Sequence, residues 1–198
     1  MSELVIVNFI SLDGVIQSPL SADEDRDGGF DCGGWVSASM DETIATTMSD
    51  CTTNAGSLLL GRRTYEIFTA SWQHANQEEP AVAALNRMPK YVASRTITSG
   101  PWANTTVLGP DMASEIARLK DQPGGDIIVF GSGGLIQTLI EHDLIDRYKL
   151  LIFPLVIGQG KRMFPDGGIP ANLRLSDVET SSTGVIIATY QLAGRTAQ

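Results

Sequence analysis

Asp126-Ile127-Ile128-Val129-Phe130-Gly131-Ser132-Gly133-Gly134-Leu135-Ile136-Gln137-Thr138-Leu139 is the stretch from which the rest of the chain is read. Ile127 to Phe130 are apolar without a break and rich in β-branched side chains, the pattern of a strand buried on both faces. Gly131, Gly133 and Gly134 follow at once, and then Leu135, Ile136, Leu139 and Ile140 recur at helical spacing. A strand that turns through glycine into a helix leaves backbone N–H groups converging on one spot. That spot lies at the positive end of the helix dipole and suits an anion, most often a phosphate. Glycine fits because a Cβ would hold a diphosphate off the backbone and resist a positive φ. The dinucleotide fingerprint G-x-G-x-x-G is incomplete, since its last glycine would fall at Ile136. Taken alone, the stretch also reads as a tight βα turn without a ligand.

The chain has 198 residues, which fits one domain over 1–198 with a substantial core. A net charge of −9 with no Lys/Arg run argues against a nucleic-acid partner. An acidic protein that binds an anion must place its cations locally, so the arginine positions carry the information. Cys32 and Cys51 make neither a metal-ligand spacing nor a disulfide framework, and no metal is expected. Met1 to Val7 lacks the basic region of a signal peptide and enters a strand directly. No apolar segment reaches membrane-spanning length. A soluble, cytoplasmic protein is expected.

Outward from the glycine turn, the periodicities predict strands at Leu4–Leu12, Ser57–Leu60, Tyr91–Ala93 and Thr105–Leu108. The first is closed by Asp13-Gly14 and resumes at Val15-Ile16. Helices are predicted from Ser37 or Ser39 as cap to Cys51, from near Arg63 through Phe68, over Ala81–Met88, and around Met112, Ile116 and Leu119. Residues 17–34 form a long loop carrying Asp23, Glu24, Asp25, Asp27 and Asp31, expected as a lid or a disordered insertion. Asp146–Ile157 reads as a long strand with Pro154 inside, so its pairing there must be irregular or at an edge. Leu173–Thr180 and Val185–Leu192, joined through Ser181–Gly184, read as an antiparallel pair. Repeated β-then-α units indicate an α/β fold: a mixed, mostly parallel sheet with helices on both faces and a C-terminal antiparallel hairpin. Ligands of such sheets sit at the carboxyl ends of the strands.

Three strand ends then compare. Gly61-Arg62-Arg63-Thr64 follows one strand, Ser94-Arg95-Thr96 another, and Gly131–Gly134 a third. On parallel strands all three lie along one rim, where arginine forks suit bidentate phosphate contacts. A diphosphate plus a further phosphate monoester is what NADPH presents, so the pattern favours NADPH over NADH. Singly, each turn also reads as a solvated helix start or surface loop.

The ordered set Ser11-Leu12-Asp13-Gly14, Leu60-Gly61-Arg62-Arg63-Thr64-Tyr65-Glu66, Lys90-Tyr91-Val92-Ala93-Ser94-Arg95-Thr96, Val129–Leu135 and Phe153–Phe164 covers nearly the whole chain. It resembles the three-layer dihydrofolate reductase-like fold, and most closely the reductase domain of bacterial riboflavin-biosynthesis proteins, the RibD C-terminal family with its stand-alone relatives. The resemblance implies that Gly61–Thr64 touch cofactor phosphates and that Ser94 and Arg95 clamp the adenosine 2′-phosphate. Gly131, Ser132, Gly133, Gly134 and Leu135 would form the diphosphate turn, and Val15-Ile16 would dock the nicotinamide carboxamide. Gly131–Ser132 occupies the position of the family's cis peptide, which between non-proline residues costs ~3–4 kcal/mol. The dihydrofolate-binding carboxylate is absent or displaced, since the matching slot falls near Ala45. Asp41, one helical turn earlier, and Asp13 are the candidate catalytic acids. Phe9, Trp35 and Trp72 are candidate pocket walls, and Lys161 and Arg162 candidate contacts to an anionic substrate.

The expected function is an NADPH-dependent reductase of a small-molecule substrate. Hydride goes to a C=N or C=O carbon, as in the family's 5-amino-6-(5-phosphoribosylamino)uracil reductases. The alternatives are a dihydrofolate or pteridine reductase and a non-catalytic NADPH-binding sensor. The terminal hairpin and the strand near Pro154 make a homodimer the expected assembly.

Overall fold

The computed structural model describes residues 1–195. Its strands are β1 (Leu4–Ser11), β2 (Ser57–Gly61), β3 (Lys90–Ala93), β4 (Thr105–Leu108), β5 (Ile127–Phe130), β6 (Arg147–Phe153), β7 (Ala171–Thr180) and β8 (Ile186–Arg195). Its helices are α1 (Glu42–Thr53), α2 (Arg62–Trp72), α3 (Pro80–Arg87), α4 (Met112–Lys120) and α5 (Gly133–Glu141). The strands form one sheet in the order β4-β3-β2-β5-β1-β6-β8-β7. β1 to β6 run parallel, while β8 is antiparallel to both β6 and β7.

Strand alternation sorts the core into two layers. Val5 and Val7 of β1, Leu58 and Leu60 of β2, and Ile128 and Phe130 of β5 face α1, α2 and α3. Leu4, Ile6, Leu59, Ile127 and Val129 face α4 and α5. Both faces are covered over the parallel part, which is why those strands read as unbroken apolar runs. No helix covers β7, and all ten of its residues are exposed.

Three expectations are corrected. α1 begins at Glu42, with Asp41 as its N-cap, and Ser37–Ser39 is a separate 3-10 turn. Met40 is extended and breaks the helix between them, while the Asp41 carboxylate accepts from Ile44 N–H at 3.0 Å. β6 ends at Phe153, so Pro154, having no N–H to donate, follows the strand instead of interrupting it. The Gly131–Ser132 peptide is trans, like every peptide among the described residues. The chain reverses there through two successive left-handed residues, Gly131 at φ +53° and Ser132 at φ +56°. Residues 17–34, expected as a lid or an insertion, fold back on themselves, with Gln17, Ser18, Asp25 and Phe30 buried. The Gln17 amide donates to the carbonyls of Asp25 and Asp27, and the Ser18 hydroxyl accepts from Asp25 N–H at 2.9 Å.

Candidate active site

A cavity of about 1220 Å³ opens at the carboxyl ends of the parallel strands. This exceeds the range of roughly 300–1,000 Å³ usual for one small ligand. It gathers Ile16, the whole Gly61–Thr64 turn and the whole Gly131–Leu135 turn.

The two turns are tied together before any ligand arrives. Gly131 N–H donates to the Asn8 side chain at 2.6 Å, and the Asn8 amide donates back to Gly131 C=O at 3.2 Å. Ser132 N–H donates to the Thr64 hydroxyl, and Gly61 N–H donates to the Ser132 hydroxyl, both at 3.0 Å. These four bonds hold Ser132 in a backbone region that a non-glycine residue seldom adopts. The N-cap of α2 is Gly61 and that of α5 is Ser132, whose hydroxyl is turned to Gly61, so both helices open onto the cavity without a side-chain cap. A Cβ on Gly134 would meet nothing within 4 Å, whereas one on Gly133 would meet Ile16 Cδ1 at 3.2 Å.

The cations at this end are matched by carboxylates. Arg62 pairs with both oxygens of Glu66 at 2.9 Å. Arg63 reaches Asp25 at 3.0 Å and Asp27 at 3.3 Å, and Lys161 reaches the same two acids at 2.7 and 2.9 Å. Arg162 lies 3.6 Å from Asp13. The acidic segment is therefore clipped over the cavity by its own aspartates.

Asp13, Val15, Asp41, Ser94 and Arg95 lie apart from the cavity lining. Ser94 and Arg95 follow β3 on the same rim; Arg95 is exposed, and the Ser94 hydroxyl accepts from Thr96 and Ile97 N–H. Val15 is fully buried. Asp13 accepts from Ile157 N–H, Gly158 N–H and the Ser11 hydroxyl, and these bonds hold its pKa down to about 2. Asp41 is fastened to Ile44 N–H and to the backbone and hydroxyl of Ser182, which lowers its pKa as well. Both carboxylates are spent on structure, and a carboxylate so stabilised is a poor proton donor. Phe9 and Trp72 line the cavity; Trp35 instead donates to Gln17 C=O at 2.9 Å.

Asn8 was missed by sequence reasoning, although one polar residue inside an apolar two-sided strand was a readable signal. Also missed was an apolar lobe between α1, α2 and α3, whose walls include Met48, Phe68 and Val82. Nothing in the sequence distinguishes those residues from ordinary core. Glu24 also faces the cavity, and burial pushes its carboxyl up.

A family model described as the RibD C-terminal domain matches residues 3–187. The uncharacterized protein YyaP of Bacillus subtilis strain 168 is 30% identical over 141 residues, covering 69% of this chain and 74% of that protein. The uncharacterized protein YwjB of the same organism is 26% identical over 171 residues, covering 86% and 87%. The crystal structure of a provisionally described riboflavin biosynthesis protein from Shewanella sp. PV-4 superposes with a TM-score of 0.69 at 19% identity. It covers 96% of this chain and 98% of that one. A pyrimidine reductase-like protein from Corynebacterium diphtheriae superposes at 0.60 with 13% identity, covering 96% and 92%.

Proposed function

The chain belongs to the RibD C-terminal domain family, and from that premise we propose that it is an NADPH-dependent reductase acting on a small heterocyclic or sugar-like molecule. The observation that carries the cofactor is the convergence of two uncapped helix N-termini, those of α2 and α5, on one cavity. Unsatisfied N–H groups and two helix dipoles aimed at one place favour an anion such as a diphosphate.

NADPH would supply the hydride, delivered to a C=N or C=O carbon whose heteroatom takes a proton. The chain's part is to bind and orient. Gly133, Gly134 and Leu135 offer backbone N–H groups, and Gly61–Thr64 hold the facing wall. Arg62 and Arg63 add charge, and Ile16 lies against Gly133 as the apolar neighbour of the nicotinamide. Ser94 and Arg95, farther along the rim, take the 2′-phosphate. The segment 17–34 is the lid, and its aspartates yield Arg63 and Lys161 to the cofactor. Asp13 and Asp41 brace the lid's surroundings and the base of α1 and are not assigned the proton. On α1 the cavity meets Ala45, Met48, Ser49 and Thr52, with no carboxylate, which speaks against dihydrofolate as the substrate. Free thiols at Cys32 and Cys51 suit a reducing, cytoplasmic setting. The open edge of β7 suits a homodimer.

The test is titration of the protein with NADPH and NADH, followed by cofactor oxidation with a panel of pteridines and aminouracil ribosides. NADPH binding with turnover of one substrate supports the reading. Tight binding with no consumption on any substrate makes the protein a sensor, and no binding removes the cofactor altogether.

A further inference from the structure

The cavity is chemically two-sided, with glycine turns and charges on one side and apolar side chains on the other. Beyond the glycine turns, Met48 and Thr52 of α1, Phe68 and Trp72 of α2, and Val82 and Leu85 of α3 form its walls. Phe68 stacks on Phe130 at 5.7 Å and 21°, which presents flat aromatic surface along one wall. The Thr52 hydroxyl is already given to Met48 C=O at 2.7 Å.

Among the described residues no lysine or arginine lines this lobe. Arg62, Arg63, Lys161 and Arg162, the cations that line the cavity, cluster at the glycine-turn end, each with a carboxylate within 4 Å. Trp72 lies nine residues beyond Arg63 on α2, about 13 Å along the helix axis. The ionisable side chain at the lobe is Glu79, an acid. The positive end of α3 points here too, but Pro80 removes its first donor and the neighbouring Glu79 opposes an anion. A phosphate placed here would lose water and gain no cation.

We propose that this lobe binds a flat, uncharged aromatic substrate and excludes phosphorylated ones. The inference rests on the reductase reading above and narrows it: of the heterocycles and phosphorylated ribosides within its scope, the phosphate-free aromatics fit this wall. Aromatic faces and a sulfur-bearing Met48 give dispersion and ring-stacking contacts without asking for a counter-ion.

The test compares 2-naphthol with 2-naphthyl phosphate, the same ring with and without the charge, by calorimetry in the presence of NADP⁺. The unphosphorylated ring is expected to bind tighter by about tenfold or more. Trp72→Ala should weaken 2-naphthol selectively. Glu79→Lys, an exposed substitution that leaves the core intact, should narrow the gap by improving the phosphate ester. Equal or tighter binding of the phosphate by the native protein would overturn the proposal, as would no binding of either compound or indifference to Trp72→Ala. NADPH affinity, read separately from its own fluorescence, keeps the two ideas apart. Its loss with 2-naphthol binding intact sinks the cofactor reading alone, and its retention with a preference for the phosphate sinks only this one.

Discussion

Gly134 separates binding from folding at a single position. It lies in the first turn of α5, where a methyl group would point into the cavity and touch no protein atom within 4 Å. Alanine is the better helix former by about 1 kcal/mol, so Gly134→Ala should unfold no more easily than the native chain while binding NADPH at least several-fold more weakly. Equilibrium unfolding beside a fluorescence titration checks both halves, and unchanged affinity would remove the turn from the cofactor's contacts. Arg95→Ala should cost NADPH much more than NADH, because only the former carries the 2′-phosphate; equal losses would leave Arg95 a surface cation. The glycine turn and the Arg-bearing turn after β2 were legible because φ constraints and charge are written in residue type. The use made of Asp13 and Asp41 was not. An acid beside a predicted site looks the same in sequence whether it faces a substrate or accepts hydrogen bonds from residues more than a hundred positions away.

At the scale of elements, the acidic segment and β3 each carry a measurable consequence. Asp25 and Asp27 hold Arg63 and Lys161, so Asp27→Asn should free charge for the cofactor and tighten NADPH by about two- to threefold, the scale of a partly exposed ion pair. Unchanged or weaker binding would mean that these acids do not compete with the phosphate. Lys90 of β3 is fully buried and, among the described residues, pairs with no carboxylate. Its ammonium donates to the carbonyls of Asn86, Met88 and Ala103 and sits 4.5 Å over the Trp102 ring. Burial draws its pKa down to about 8 from 10.5. The unfolded chain therefore binds more protons between those values, and stability should rise with pH from about 8 towards 10, by at most about 3 kcal/mol. Above 10 the buried Tyr148, raised to about 12, works the other way, because its folded form resists losing the proton. Denaturant unfolding of the native chain and Lys90→Met across that window checks the slope, which the variant should flatten. Element types and most bounds were legible from periodicity. The ends that moved, at Asp41 and Phe153, were decided by a cap and by Pro154.

For the molecule as a whole, the open question of shape is at β7. The bulge between Leu175 and Asp177 shifts the alternation so that Leu173, Leu175 and Val178 share a face, and all three are exposed. A long unpaired edge with an apolar face invites a partner strand. Leu175→Lys with Val178→Lys should convert a dimer to a monomer in sedimentation, with the fold retained because neither side chain is buried. A native chain that already sediments as a monomer would remove the dimer.

What the sequence determined by itself was the α/β architecture, the two-sided burial of its parallel strands and the glycine-bearing turns at the ends of β2 and β5. Those follow from side-chain period and glycine placement, which are local. What only the tertiary structure decided was the pairing of charges and the shape of the space. Asn8 meets Gly131, Thr64 meets Ser132, and Asp25 closes on Lys161 across 68 to 136 residues of chain. The apolar lobe exists only because α1, α2 and α3 each turn side chains toward one space. Such contacts depend on how elements stack, and no period in the sequence encodes the distance between them.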